Sequence, residues 1–199
     1  YIVEDKIVSI GKALKENANQ VLNGTGQFLT PGLIDAHTDL NGVPGMSFEQ
    51  TKANPSIVEE ALKQIPKSNL YHGFTTVIDL NSDAQSIANW NQQPIRPKAY
   101  FCGADPVVDG YPMHFIPKPL RYQIMPYFLL DGEYVPKGID PRQHTPQSVV
   151  KKMKSDGAVC VKTHYESGFG GQGVLPTPSL TLIQQLKTAA SNAGLPLVL

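Results

Sequence analysis

His37 and Asp39 have the side-chain types and the spacing of a metal-binding pair. Neutral imidazole offers a nitrogen lone pair and carboxylate offers oxygen. Both are ordinary ligands of Zn²⁺, and carboxylate also suits Mn²⁺. A His-x-Asp triplet is common by chance, so a structural histidine that caps a strand end and pairs with Asp39 is the alternative. The spacing alone leaves both interpretations open.

Lys162 is a third candidate ligand, provided that its amine is neutral. A protonated lysine has donors and no acceptor, but burial lowers a lysine pKa and makes the neutral form accessible. A neutral amine can take up CO₂ as a carbamate, whose two oxygens can bridge two metal ions. The alternative is an unmodified Lys162 that pairs with Asp39, Asp79 or Glu166.

Three further residues are candidates for substrate contact. His164 follows Lys162 by two residues and is predicted to contact substrate or to orient Lys162. A histidine whose hydrogen bonds are satisfied within a loop is the alternative. Tyr165 beside it, and His114 in a long aromatic segment, are predicted to contact the substrate as well.

The elements that must position these residues alternate between strand and helix, which indicates a parallel sheet. The sheet can be an open doubly wound one or a barrel. A complete (β/α)8 barrel needs about 250 residues, so this sequence would hold about its first half. The predicted strands cover residues 33–36, 75–80, 98–102, 158–163 and 196–199, and the predicted helices 56–71, 84–91, 145–155 and 178–192.

Side-chain alternation favours the barrel. An open sheet covered by helices on both faces should be apolar on both, whereas here one face of strands one and four is apolar and the other is polar. In a barrel the polar face would point inward near the carboxyl-end mouth, where active sites lie. The inward residues would be Asp35, His37 and Asp39 on strand one and Cys160, Lys162 and His164 on strand four.

Residues 1–30 read as short strands of a small flanking β-sandwich, with a hairpin turn at Asp5-Lys6, and residues 31–199 as barrel strands one to five. Both ends of the sequence fall within strand-like runs, so we expect a longer chain. Residues 103–143, rich in proline and aromatic residues, are predicted to form a partly ordered flap over the mouth or an oligomer contact. Residues 41–54 and 168–173 are predicted to be further mouth loops.

Composition excludes some function classes. The 199 residues are 41% hydrophobic and 17% charged, with zero net charge, so no long-range field would attract nucleic acid. No apolar run approaches the roughly 18 residues that a membrane span needs. Cys102 and Cys160 match no Cys-x-x-Cys metal pattern and predict no disulfide framework; Cys160 is expected to pack as a small apolar residue. Compartment, cytoplasmic or bacterial periplasmic, and homo-oligomer formation stay undetermined.

Residues 28–39, Phe-Leu-Thr-Pro-Gly-Leu-Ile-Asp-Ala-His-Thr-Asp, resemble the strand-one signature of the metal-dependent amidohydrolase superfamily. That signature has an apolar pair, Pro-Gly-Leu-Ile-Asp, a small residue and His-x-His. Residues 73–79 resemble the second-strand segment, and residues 1–11 the hairpin of the flanking β-sandwich. The most similar branch is the imidazolonepropionase-like one. Asp39 stands where the signature has its second histidine; aspartate can still be a ligand, and its charge would offset that of the cation.

The resemblance implies hydrolysis of an amide or related carbon–nitrogen bond in a small-molecule substrate by a metal-activated water. It implies one or two divalent metals, Zn²⁺ with Mn²⁺ or iron as alternatives, held by His37, Asp39 and a carbamylated Lys162. It also implies two histidines and a catalytic aspartate after later strands, none of which lies in this sequence. Two other interpretations stay open: a non-catalytic relative that has lost the ligands, and a doubly wound ligand-binding domain.

Overall fold

The computed structural model describes residues 1–11, 18–124, 127–129, 135–168 and 173–199, without the side chains of Phe48 and Ile124. It divides into two compact units, Tyr1–Pro31 and Gly32–Leu199. In the first unit, β1 (Ile2–Val3) and β2 (Lys6–Ile7) pair antiparallel. The turn between them lies at Glu4 and Asp5, both with positive φ, one residue earlier than predicted. The assignment of residues 1–30 to a flanking β-sandwich stays a prediction.

A five-stranded parallel sheet forms the centre of the second unit. Its strands lie side by side in the order in which they occur along the chain. A doubly wound sheet reverses its strand order at a switch point, so the prediction of a barrel is confirmed and the doubly wound alternative is wrong. The strands are β3 (Leu33–Thr38), β4 (Phe74–Asp79), β5 (Lys98–Ala104), β6 (Cys160–Lys162) and β7 (Leu197–Val198).

Helices occupy the connections between these strands, and their starts follow from side-chain capping. The hydroxyl of Ser47, the carboxylate of Asp83 and the hydroxyl of Ser179 each accept a backbone N–H from the first helical turn, as preferred N-cap residues do. No described helix has both the length and the apolar content to cross a membrane. The helices are α1 (Phe48–Ala53), α2 (Pro55–Tyr71), α3 (Ala84–Asn91), α4 (Lys118–Ile124), α5 (Pro146–Asp156) and α6 (Leu180–Asn192).

Two segments predicted to lie at the mouth contain regular structure. Helix α1 lies within residues 41–54, where Ser47 and Gln50 form a capping box. The Ser-x-x-Gln spacing is a sequence signature of such a box, and the prediction did not use it. The predicted flap, residues 103–143, contains α4 and buries Val107, Tyr127 and Phe128 almost completely. It is therefore ordered over its described residues. Most of the predicted glycine-rich loop, residues 169–172, lies outside the described residues.

The two faces of the sheet carry different clusters of buried side chains. On the helix side, Val77 and Val161 pack with Met153 of α5 in the main core. On the opposite face, Leu80, Cys102 and Cys160 form a smaller separate cluster. Val161 and Cys160 therefore point to opposite sides, as the alternation along strand four predicts.

Cys102 and Cys160 form a disulfide bond, contrary to the prediction that these cysteines are not cross-linked. They are direct partners on the neighbouring parallel strands β5 and β6, with Cα atoms 4.5 Å apart. That separation lies within the range for a disulfide. Because the two residues are 58 positions apart in the sequence, their proximity depends on strand register and not on a local cysteine motif.

Gly32 is required where β3 meets β4. An added Cβ at Gly32 would overlap the side chain of Thr75, so Gly32→Ala is expected to lower the free energy of unfolding by about 1–3 kcal/mol through overpacking. Urea unfolding measures this difference. Gly42→Ala is the matched control, because its added Cβ has no atom within 4 Å. Equal stability of Gly32→Ala and Gly42→Ala would contradict the steric explanation.

Candidate metal centre and substrate cavity

A cavity of about 740 Å³ opens at the carboxyl ends of the parallel strands. This is the end of a (β/α)8 barrel at which active sites lie. The cavity is polar where the strands end and apolar along the first turns of α6. Its lining residues are His37, Asp39, Asn81, Tyr111, Pro112, Lys162, His164, Tyr165, Glu166, Leu180, Ile183 and Leu199.

Five of the six residues predicted from the sequence as metal ligands or substrate contacts line this one cavity. The exception among the described residues is His114, which is not part of the lining. Its ring lies next to Tyr111, with ring centroids 5.8 Å apart, and Tyr111 lines the cavity. His114 therefore lies beside the wall, so its predicted direct contact with substrate is not supported. The residues brought together are His37, Asp39, Lys162, His164 and Tyr165.

The end of β3 is shaped by a local irregularity. The pairing register between β3 and β4 shifts between Asp35 and Thr38, and the Asp35 carboxylate accepts the backbone N–H of His37 at 3.1 Å. Beyond the strand, the buried carboxylate of Asp79 accepts the N–H of Leu40 at 2.8 Å. These two hydrogen bonds fix the backbone on both sides of the His-Thr-Asp triplet.

Asp79 places a completely buried carboxyl group close to the candidate ligands. Burial raises its pKa, and the N–H groups of Asn81 and Leu40 partly oppose that effect by hydrogen bonding to the carboxylate. The charge of Asp39 raises the pKa of Asp79 further, and that of Lys162 lowers it. Asp39 and Lys162 thus lie near enough to affect the ionisation of Asp79.

Lys162 is held at the end of β6 by main-chain contacts. Its carbonyl accepts the N–H of Asp105 at 2.8 Å, and the adjacent Thr163 hydroxyl donates to the Asp105 carbonyl at 2.7 Å. Burial lowers the pKa of the Lys162 amine, while Asp39 and Asp79 oppose that effect. Within the described part of the chain, Lys162 forms no ion pair. The ion-paired alternative is therefore not what the described structure shows.

His164 is a neutral imidazole in the cavity wall. Burial, together with the nearby charge of Lys162, lowers the pKa of His164 to about 4. Its Nε2 atom is buried and has no hydrogen-bond partner among the described residues. A buried polar atom without a partner costs free energy, so this nitrogen is suited to a hydrogen bond with a bound molecule.

The lowered pKa of His164 predicts a loss of stability in acid. The unfolded imidazole, with a pKa near 6.5, binds a proton more readily than the folded one, so stability is full above about pH 6.5 and falls as the pH approaches 4. Between about pH 7 and pH 5 we expect wild type to lose roughly 2 kcal/mol more than His164→Gln. Chemical unfolding at both pH values measures this. An equal loss in wild type and variant would exclude His164 as the cause.

The donor set is suited to a divalent metal but is incomplete by itself. His37 supplies a nitrogen ligand, Asp39 an oxygen ligand, and Lys162 an amine with a lowered pKa, all on one cavity. Among the described residues, no group of three or more His, Cys, Asp or Glu side chains comes close enough to hold a metal ion. The residues present therefore fit part of a metal site, in which Lys162 would serve as the third ligand.

Several cavity residues were not predicted from the sequence as functional. Asn81 directly follows the end of β4, so its position after a strand was an available signal. Tyr111 and Pro112 come from the flap, and Leu180 and Ile183 from α6. Their placement depends on how the flap and helix pack, which no local spacing encodes.

The strand order and the position of the cavity define this chain as part of a (β/α)8 barrel. Residues 28–164, more than half of the chain, match the Amidohydrolase family. The chain belongs to this family. A comparison with curated protein sequences gives no match.

Solved structures show the same fold. An amidohydrolase crystal structure is 17% identical, with a TM-score of 0.61, over 94% of this chain and 46% of that chain. The ochratoxinase of A. niger is 18% identical, with a TM-score of 0.55, over 81% of this chain and 40% of that chain. This chain therefore spans less than half the length of either structure. The imidazolonepropionase-like branch stays a prediction.

Proposed function

We propose that the protein hydrolyses an amide or another carbon–nitrogen bond of a small molecule, either non-peptide or dipeptide-like, in a metal-dependent reaction. The observation that carries the proposal is the convergence of His37, Asp39 and Lys162 at one cavity on the carboxyl ends of the strands. Ochratoxinase is among the proteins with a similar fold, which supports a hydrolase.

The metal site would be held by the His37 imidazole, the Asp39 carboxylate and Lys162. One or two divalent ions, Zn²⁺ in the first place and Mn²⁺ or iron as alternatives, would lower the pKa of a bound water and polarise the substrate carbonyl. The neutral amine of Lys162 would attack the carbon of CO₂ and release one proton to solvent, which leaves an anionic carbamate. Because Asp39 and carbamylated Lys162 are both anionic, they would offset the charge of the cations.

His164 would orient the substrate. At neutral pH its imidazole is uncharged, because its pKa is about 4, so its Nε2 can form a hydrogen bond with a polar group of the substrate without adding charge to the site. Tyr165 lines the same cavity with 57% of its surface exposed. It would cover a substrate that occupies the cavity.

Metal analysis of the full-length protein tests this proposal. The expected result is at least one bound divalent ion per chain, loss of amide hydrolysis after chelation, and recovery when Zn²⁺ or Mn²⁺ is returned. A metal-free protein that is folded and hydrolyses amides would overturn the mechanism. A folded protein that neither holds metal nor hydrolyses any amide would support the non-catalytic alternative.

A further inference from the structure

The geometry points to Tyr111 as a specificity-determining residue that receives a flat ring of the substrate, with Arg121 as the residue that positions it. This inference rests on the proposed hydrolysis at the same cavity. Tyr111 and Pro112 belong to the flap. They line the same cavity as Lys162 and His164.

The ring of Tyr111 is fixed by aromatic neighbours on two sides. Its centroid lies 5.2 Å from that of His164 at an interplanar angle of 74°, and 6.1 Å from that of Phe115 at 76°. Edge-to-face contacts at such distances are favourable. Tyr111 therefore connects the flap to the polar end of the cavity through His164, and its ring lies next to the imidazole that is proposed to orient the substrate.

The flap segment that carries Tyr111 is built around Arg121. Its guanidinium donates to the carboxylate of Asp109, to the carbonyl of Ile116 at 2.7 Å and to the carbonyl of His114 at 3.1 Å. The Arg121 side chain is only 14% exposed. A planar guanidinium that bonds three groups at once fixes their relative positions, so the turn that carries Tyr111 is preorganised.

Close packing limits the other side of the turn. A Cβ added at Gly110 would lie 2.6 Å from the carbonyl oxygen of Pro176, and Met113 is completely buried. The backbone beside Tyr111 thus has little freedom to move away from the cavity. A rigid aromatic wall binds a flat group at low cost in conformational entropy.

The rest of the apolar lining indicates the class of substituent. Leu180 and Ile183 from α6, with Tyr165, complete an apolar region beside the polar end of the cavity. A substrate that fills both regions would carry a polar amide next to a ring. An amide with only small or charged substituents would leave this surface exposed to water.

The test compares three amides in the full-length protein: N-acetylglycine, which has no ring, N-benzoylglycine, with a ring on the acyl side, and N-acetylphenylalanine, with a ring on the amine side. Wild type is expected to prefer at least one ring-bearing amide, both in kcat/KM and in binding measured by calorimetry. Tyr111→Ala is expected to lower that preference about 5- to 30-fold, mainly through KM. Tyr111→Phe is expected to retain it.

Two further variants distinguish loss of the aromatic contact from loss of folding. Tyr111→Leu keeps apolar volume without the ring and should also lose preference for the ring. Arg121→Lys keeps the charge opposite Asp109 but cannot form the same three hydrogen bonds, and should lower the preference without abolishing hydrolysis. Wild type that binds the three amides equally, or Tyr111→Ala and Tyr111→Leu that keep the wild-type preference, would overturn the role of Tyr111. Absence of hydrolysis with ring-selective binding would instead count against the proposed function alone.

Discussion

Lys162→Arg and His37→Ala are each expected to remove bound metal and to lower kcat/KM for amide hydrolysis by at least about 100-fold in the full-length protein. His37 is the proposed nitrogen ligand of the candidate site, and its loss would leave Asp39 without its neighbouring donor. Arginine keeps the positive charge of Lys162, yet it stays protonated and has no lone pair for CO₂ or for a metal. The substitution therefore separates a role as carbamate from a role as cation.

Lys151→Arg provides the matched control, because Lys151 is an exposed residue of α5 and does not line the cavity. It should retain full metal content and activity. Metal content is measured by elemental analysis, and the carbamate by ¹³C NMR after equilibration with ¹³C-labelled bicarbonate. Wild-type activity in Lys162→Arg would exclude the carbamate, and wild-type metal content in His37→Ala would exclude His37 as a ligand.

The order and type of the main elements could be predicted from the sequence because they depend on local periodicity. Helix α3 (Ala84–Asn91) coincides with its predicted range, since it has a carboxylate N-cap and a regular apolar stripe. Strand β6, which was predicted as strand four, has the predicted alternation: Val161 faces the core and Lys162 faces the cavity. Such features need only neighbouring residues, whose side-chain period is fixed by the backbone.

The features of the structure that the sequence did not predict depend on contacts between distant segments. The ring of Tyr111, a residue of the flap, contacts the ring of His164, which follows β6. The sulfur of Cys102 meets that of Cys160 only because β5 and β6 pair in one register. His114 was selected for its residue type and lies beside the cavity wall instead. A single sequence gives residue types and periods, but not the packing that decides which side chain faces a cavity.

Reduction of the Cys102–Cys160 disulfide is expected to lower the free energy of unfolding by about 2–4 kcal/mol, because the bond closes a long segment in the unfolded chain. The cross-linked residues are separated by 58 positions, and both are almost completely buried. Denaturant unfolding with and without a dithiol reductant measures the difference. Cys102→Ala/Cys160→Ala is the control, since its stability should not respond to reductant.

The cross-link also bears on the candidate site. Along β5 and β6, the pair Cys102–Cys160 is followed by Gly103–Val161 and then by Ala104–Lys162, so the disulfide lies below the candidate ligand on the same two strands. Parallel pairs are held by slanted hydrogen bonds, and a covalent bond at this point restricts how far β6 can separate from β5. Thiol titration of the denatured, unreduced protein tests whether Cys102 and Cys160 are bonded. No reactive thiol is expected, and two per chain would show that the cysteines only pack against each other.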